Sequence, residues 1–197
     1  MRGVVLIGAS TGAPRIHHIY LRQVPRDLIA PIVIIQHMPR GPFVQGMMKY
    51  LQEEVRLRCK FAQDRARLEP RTVYLVEPGF HLRFLRGSST MSVQPAAGEN
   101  FFAPSMDVTF TSAAGVFGAL SCIAITSGLH AEHDGVEGCQ AVRRAGGRVL
   151  LTTPETTPCY HMIKQIRAVG EYDAEAPLER ILGVMNDWIR EQSHATI

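Results

Sequence analysis

Gly3-Val4-Val5-Leu6-Ile7-Gly8-Ala9-Ser10-Thr11-Gly12-Ala13-Pro14 is the stretch from which the rest of the chain is best read. Val4 to Ile7 is apolar at every position rather than at every second one. That is the mark of a strand buried on both faces, as in a parallel sheet covered by helices. Glycines then turn the chain. Pro14 stands where a first helical turn begins, and Ile16, Ile19, Tyr20 and Val24 recur at helical spacing. The pattern repeats at Pro31-Ile32-Val33-Ile34-Ile35-Gln36-His37, a second buried strand. Pro39, Gly41 and Pro42 break the chain before a helix running from Phe43 to Val55.

Shorter strands are expected at Arg58–Ala62 and Thr72–Val76. His81–Leu85 and Thr90–Val93 flank Arg86-Gly87-Ser88-Ser89 and read as an antiparallel hairpin. Pro104-Ser105-Met106-Asp107 opens a helix with an early proline and a polar cap. Leu120–Thr126 is a further apolar strand, followed by the loop Ser127–Asp134 and a helix to about Ala145. Arg148–Thr152 reads as a strand, and helices near Tyr160–Val169 and Leu178–Glu191 close the chain. Strands alternating with helices of this length predict an α/β fold. Its sheet is doubly wound and mostly parallel, flanked by helices, with a small antiparallel hairpin.

The 197 residues, 46% hydrophobic and 20% charged, suffice for one domain with its own core, and two domains fit less well. The net charge of +3 is spread among interleaved acids and bases, which speaks against nucleic acid as a partner. Cys59, Cys122, Cys139 and Cys159 lie far apart without a C-x-x-C pair and read as reduced thiols. No leader pattern or long apolar run appears, so a soluble, cytoplasmic protein that is not membrane-embedded is expected. Met1 and Arg2 abut a strand directly, which reads as a piece of a longer protein.

In doubly wound sheets ligands bind beyond the carboxyl ends of the strands. That rule brings Ser10, His37 and the Ser127–Asp134 loop to one edge. Gly8-Ala9-Ser10-Thr11-Gly12 matches G-x-S-x-G between a strand and a helix. Such an elbow holds a nucleophilic hydroxyl clear of the sheet, and the backbone N–H after the serine can face a developing oxyanion. The same turn also suits a helix-capping serine or a phosphate cradle; a dinucleotide site fits worse, because G-x-G-x-x-G is absent. Of the eight histidines, His37 alone directly ends a strongly apolar strand. His17 and His18 lie one or two turns beyond Ser10 and read as surface or packing residues. Asp134 is the carboxylate that could orient an imidazole, and it equally suits a helix N-cap. His130-Ala131-Glu132-His133-Asp134, with His81, allows a weaker metal reading, against which solvated loop charges are preferred.

Ile7-Gly8-Ala9-Ser10-Thr11-Gly12, Gln36-His37-Met38-Pro39, Pro104-Ser105-Met106-Asp107-Val108 and Asp134-Gly135 together resemble the catalytic domain of the chemotaxis receptor protein-glutamate methylesterase (CheB) family. The likeness spans nearly the whole chain in the right order. It implies a single catalytic domain over 1–197, with no receiver domain in this chain although one belongs to full-length relatives. It also implies a Ser10–His37–Asp134 triad, Thr11 beside the imidazole, Leu129 as an oxyanion donor, and no cofactor or metal. The substrate it implies is a glutamyl methyl ester, or a glutamine, on the cytoplasmic helices of a methyl-accepting chemoreceptor or similar signalling protein.

Several positions depart from that family's pattern. Ala13 replaces a second glycine, and Ser127-Gly128-Leu129-His130-Ala131-Glu132-His133-Asp134 is two residues longer before the aspartate. Pro78-Gly79-Phe80-His81 lacks an acid, Ala103 replaces an arginine, and His161-Met162-Ile163 stands for a Gly-Met-Pro segment. Two alternatives follow: a weakly active or non-catalytic regulatory module on the same fold, and a hydrolase of a different ester or amide.

Overall fold

The computed structural model describes residues 3–12, 14–97, 103–128 and 134–195. In chain order its elements are β1 (Val4–Ala9), α1 (Arg15–Leu21), β2 (Ile32–Gln36), α2 (Phe43–Glu54), β3 (Arg58–Phe61) and β4 (Thr72–Leu75). A hairpin of β5 (Phe80–Phe84) and β6 (Met91–Pro95) follows. Next come α3 (Met106–Phe117), β7 (Ser121–Ser127), α4 (Val136–Arg144), β8 (Arg148–Thr152), α5 (His161–Ala168), β9 (Ala174–Ala176) and α6 (Ile181–Ala195).

Seven strands form one sheet in the order β3-β4-β2-β1-β7-β8-β9, every adjoining pair parallel. Consecutive residues of the central strands feed opposite cores. Val5, Ile7, Ile32 and Ile34 pack with Ile16 and Tyr20 of α1, Met48 and Leu51 of α2 and Leu182 of α6. Val4, Leu6, Val33 and Ile35 pack with Phe110 of α3, Val142 of α4 and Ile166 of α5. Each such side chain, removed from water, contributes roughly 1.5–3 kcal/mol. The all-apolar strand pattern is therefore what lets helices cover both faces.

The fold class matches the expectation, with two differences in detail. Ala174–Ala176 is an edge strand beside β8; three residues with a central glutamate carry no strand signal in the sequence. The last helix opens as a 3-10 turn over Leu178–Arg180 and then runs to Ala195. The hairpin is as expected, shifted at its ends so that Phe80 pairs with Pro95 and Phe84 with Met91.

The strand order reverses at β1. From there the chain builds outward through β2 on one side, and β7 and β8 continue the sheet on the other. A crevice at such a switch point is where open α/β sheets take their ligands.

Candidate active site

At the carboxyl end of β1 the Ser10 N–H donates to the Ser127 carbonyl at 3.0 Å, and the His37 N–H donates to the Ala9 carbonyl at 2.8 Å. The ends of β1, β2 and β7 are thus stitched together where the turn begins. The two glycines of the turn have different reasons. A Cβ on Gly8 would stand 2.8 Å from Met106 Sδ and 2.9 Å from Ile125 Cδ1, so glycine lets the start of α3 close on the strand. Gly12 has φ of 106°, a conformation that side chains strain. Ser10 is half-buried and Thr11 exposed; the Thr11 carbonyl accepts a hydrogen bond from Ser127 Oγ.

His37 and Asp134, separated by 97 residues, meet with Nε2 2.8 Å from Oδ2. Both side chains are only 8% exposed. The longer loop before Asp134 therefore leaves the carboxylate on the imidazole. Asp134 does not cap α4, the helix it precedes, whose N-cap position is Gly135. Instead it reaches across to the start of α3. There its Oδ2 accepts from the Met106 N–H at 2.7 Å, and its Oδ1 accepts from the Asp107 N–H at 2.9 Å and from Ser105 Oγ at 2.8 Å. The first N–H groups of a helix have no partner within it and carry the positive end of its dipole. Burial pushes the Asp134 carboxyl up. The hydrogen bonds from His37, Asp107 and Met106 outweigh that push and hold it below the ordinary aspartate value.

The favour is returned by Asp107, whose Oδ1 accepts the Gly138 N–H in the first turn of α4 at 2.6 Å. A Cβ on Gly138 would lie 2.6 Å from Phe110 Cβ, so the two helices approach closely here. Desolvation raises the Asp107 carboxyl to about 6, with the nearby Asp134 charge adding to the rise. Ser105 caps α3 as the sequence predicts, accepting from the Val108 N–H, and its own N–H donates to His81 Nδ1 at 3.2 Å. His81 is thus a hydrogen-bond partner of the helix start.

Leu129, His130, Glu132 and His133 lie outside the described residues, and with them the expected oxyanion role of Leu129 and most of the metal set. Among the described residues no group of three or more His, Cys, Asp or Glu could hold a metal ion.

Two residues carry a part here that the sequence reading does not assign: Gln36, quoted there only within a motif, and His17, read there only as a surface or packing residue. Gln36 is buried at the end of β2 and donates to the carbonyls of both Ser10 and His37. Its signal is a polar residue inside a strand otherwise apolar on both faces. His17 is fully buried and bonds Gln36; its signal is its place three residues before Tyr20, on the buried stripe of α1.

The family described as CheB methylesterase matches the chain over residues 5–185. A protein of Rhizobium meliloti named protein-glutamate methylesterase/protein-glutamine glutaminase of group 3 operon is 35% identical over 179 residues, covering 91% of this chain and 49% of its own length. The protein-glutamate methylesterase FrzG of Myxococcus xanthus is 30% identical, covering 94% of this chain and 54% of its own. The chain thus spans about half the length of the curated relatives it matches. The CheB methylesterase catalytic domain of Thermotoga maritima superimposes with a TM-score of 0.86 at 28% identity, over 95% of this chain and 98% of that domain.

Proposed function

Because the chain belongs to the CheB methylesterase family, we propose that it is a single catalytic domain, a serine carboxylesterase acting on glutamyl methyl esters of a chemoreceptor or similar signalling protein. The observation that carries this reading is the 2.8 Å contact between His37 Nε2 and Asp134 Oδ2 beyond the Ser10 turn. Relatives whose names include protein-glutamine glutaminase support glutamine deamidation by the same machinery. Receptor helices are reached from the cytoplasm, and no helix among the described residues is long and apolar enough to cross a membrane.

In this reading Ser10 Oγ attacks the ester carbonyl carbon and gives its proton to His37. Nε2 is engaged by the carboxylate, so Nδ1 is the nitrogen that takes that proton. Asp134 stabilises the imidazolium and stays ionised, because it is held by α3. The backbone N–H of Thr11 faces the oxyanion. Collapse of the tetrahedral intermediate expels the methoxy group, which takes the proton from His37 and leaves as methanol. Water, deprotonated by His37, then attacks the glutamyl-enzyme and frees Ser10. No cofactor enters.

A fluorophosphonate probe should label Ser10, and Ser10→Ala should lower methanol release from methylated receptor by about 10³-fold or more while the fold persists. Undiminished release by that variant would sink the reading. Turnover of small esters with none on methylated receptor would favour a different ester or amide, and an unreactive serine the regulatory alternative.

A further inference from the structure

One buried titratable group has no part in the mechanism above. His17 is wholly enclosed, with Nδ1 2.6 Å from the Tyr20 hydroxyl and Nε2 2.8 Å from Gln36 Oε1. Tyr20 and Gln36 are buried with it. The direction of every bond in this chain follows from its last member. Gln36 Nε2 faces two carbonyl oxygens, those of Ser10 and His37, the latter at 2.9 Å. The reversed amide would set an oxygen against two oxygens. Nε2 therefore donates both protons, and Oε1 is an acceptor that requires a proton on His17 Nε2. That leaves His17 Nδ1 as the acceptor for the Tyr20 hydroxyl. These partners assign the tautomer, and the imidazole is neutral, in keeping with burial that lowers it to about 4.

The Ser10 carbonyl belongs to the same planar peptide unit as the Thr11 N–H, so fixing one end fixes the direction of the other. A hydrogen bond accepted at the carbonyl also polarises the unit and strengthens its N–H as a donor. We infer that Gln36, oriented through Tyr20 and His17, is a positioning residue that aims the Thr11 N–H at the reacting oxyanion and ties that peptide to the backbone of His37. The inference rests on the Ser10 reading for its catalytic consequence, but not for the geometry it specifies. The relay works on the transition state through backbone groups, so losing it affects turnover and leaves substrate binding alone.

The test uses the chain with p-nitrophenyl acetate, and compares His17→Leu, His17→Gln, Tyr20→Phe and Gln36→Leu with the parent. Gln36→Leu should lower kcat by roughly ten- to a hundredfold with KM within about twofold, the range expected when a transition-state donor is misaligned. His17→Leu should lose about tenfold, and His17→Gln, whose amide can still donate to Gln36, should recover to within about threefold of the parent. Where His17→Leu does not fold, Tyr20→Phe reads the same chain, with an expected loss of about two- to threefold. Parent-level kcat in Gln36→Leu, or equal values for the two His17 variants, would overturn the relay, as would a change confined to KM. A second readout, hydrogen exchange at the Thr11 amide, does not depend on the serine being reactive. It should quicken in His17→Leu and revert in His17→Gln; an unchanged rate overturns the inference. Parent chain that fails to label with fluorophosphonate while Thr11 responds as expected would instead remove the enzyme reading alone.

Discussion

Two polar networks hold the site from opposite faces of the sheet, and they are built on different physics. Under β1 and β2, Tyr20, His17 and Gln36 form a neutral chain enclosed in the core. On the other face Asp134 and Asp107 are two carboxylates, each satisfied by the start of the other's helix. The neutral chain depends on each donor meeting one acceptor, and it needs no counter-charge. The charged pair depends on helix N-termini and on His37 to offset the penalty of taking anions out of water. The side that fixes backbone is thus uncharged, while the side that must stabilise a charged imidazole is anionic. That division follows from what each side has to do.

The most damaging way to break the contrast is at Asp134. Asp134→Asn keeps the volume but turns an NH2 group toward two of the four donors, one of them always a backbone N–H: Met106 beside His37, or Asp107 beside Ser105 Oγ. Loss of the ionised partner should lower kcat by about 10³–10⁴-fold, read as methanol release. The unmatched backbone N–H should lower the free energy of unfolding by about 1–3 kcal/mol, read by urea denaturation. Parent-like activity would mean that Asp134 only ties α3 to the sheet. On the neutral side, His17→Leu leaves the Tyr20 hydroxyl and Gln36 Oε1 unpartnered in the core. A stability loss of about 1–3 kcal/mol for each group is expected, visible as a lowered denaturation midpoint.

The sequence reading reached the charged side more easily than the neutral one, for a physical reason. Val4–Ile7 and Ile32–Ile35 announce a two-faced sheet through composition alone, and the switch-point rule then brings Ser10 and His37 to one edge. Asp134 was found through its place in the loop and the family resemblance. Its actual support was not legible, because Met106 and Asp107 precede it by 28 and 27 residues and meet it only through helix packing. Gln36 and His17 were harder still. A buried amide and a buried imidazole look, in sequence, like a polar strand end and one more helix residue. β9 was invisible because Ala174-Glu175-Ala176 is held by its neighbour β8 rather than by strand propensity.

The smallest net effect is also the one that separates the networks most cleanly, because their responses to pH have opposite signs and partly cancel. His17 titrates at about 4 in the fold against 6.5 ordinarily, chiefly because it is buried. Between those values the unfolded chain binds a proton that the folded chain does not, so stability rises with pH across that window. A full shift of that size corresponds to about 3 kcal/mol. Asp107 is raised by desolvation from 3.8 to about 6. Between those values the folded chain holds the extra proton, so stability falls as pH rises. Half-burial leaves Asp107 partly screened by solvent, and its contribution is the weaker of the two. In the parent the slopes partly cancel from about pH 4 to 6. Asp107→Asn keeps an oxygen for the Gly138 N–H and removes the falling contribution, so its unfolding free energy should rise more steeply with pH than the parent's. His17→Leu removes the rising contribution and should flatten or invert the curve. Urea midpoints at pH 4, 5, 6 and 7 decide it: parallel curves for all three proteins would mean that neither group titrates as its surroundings in the fold require.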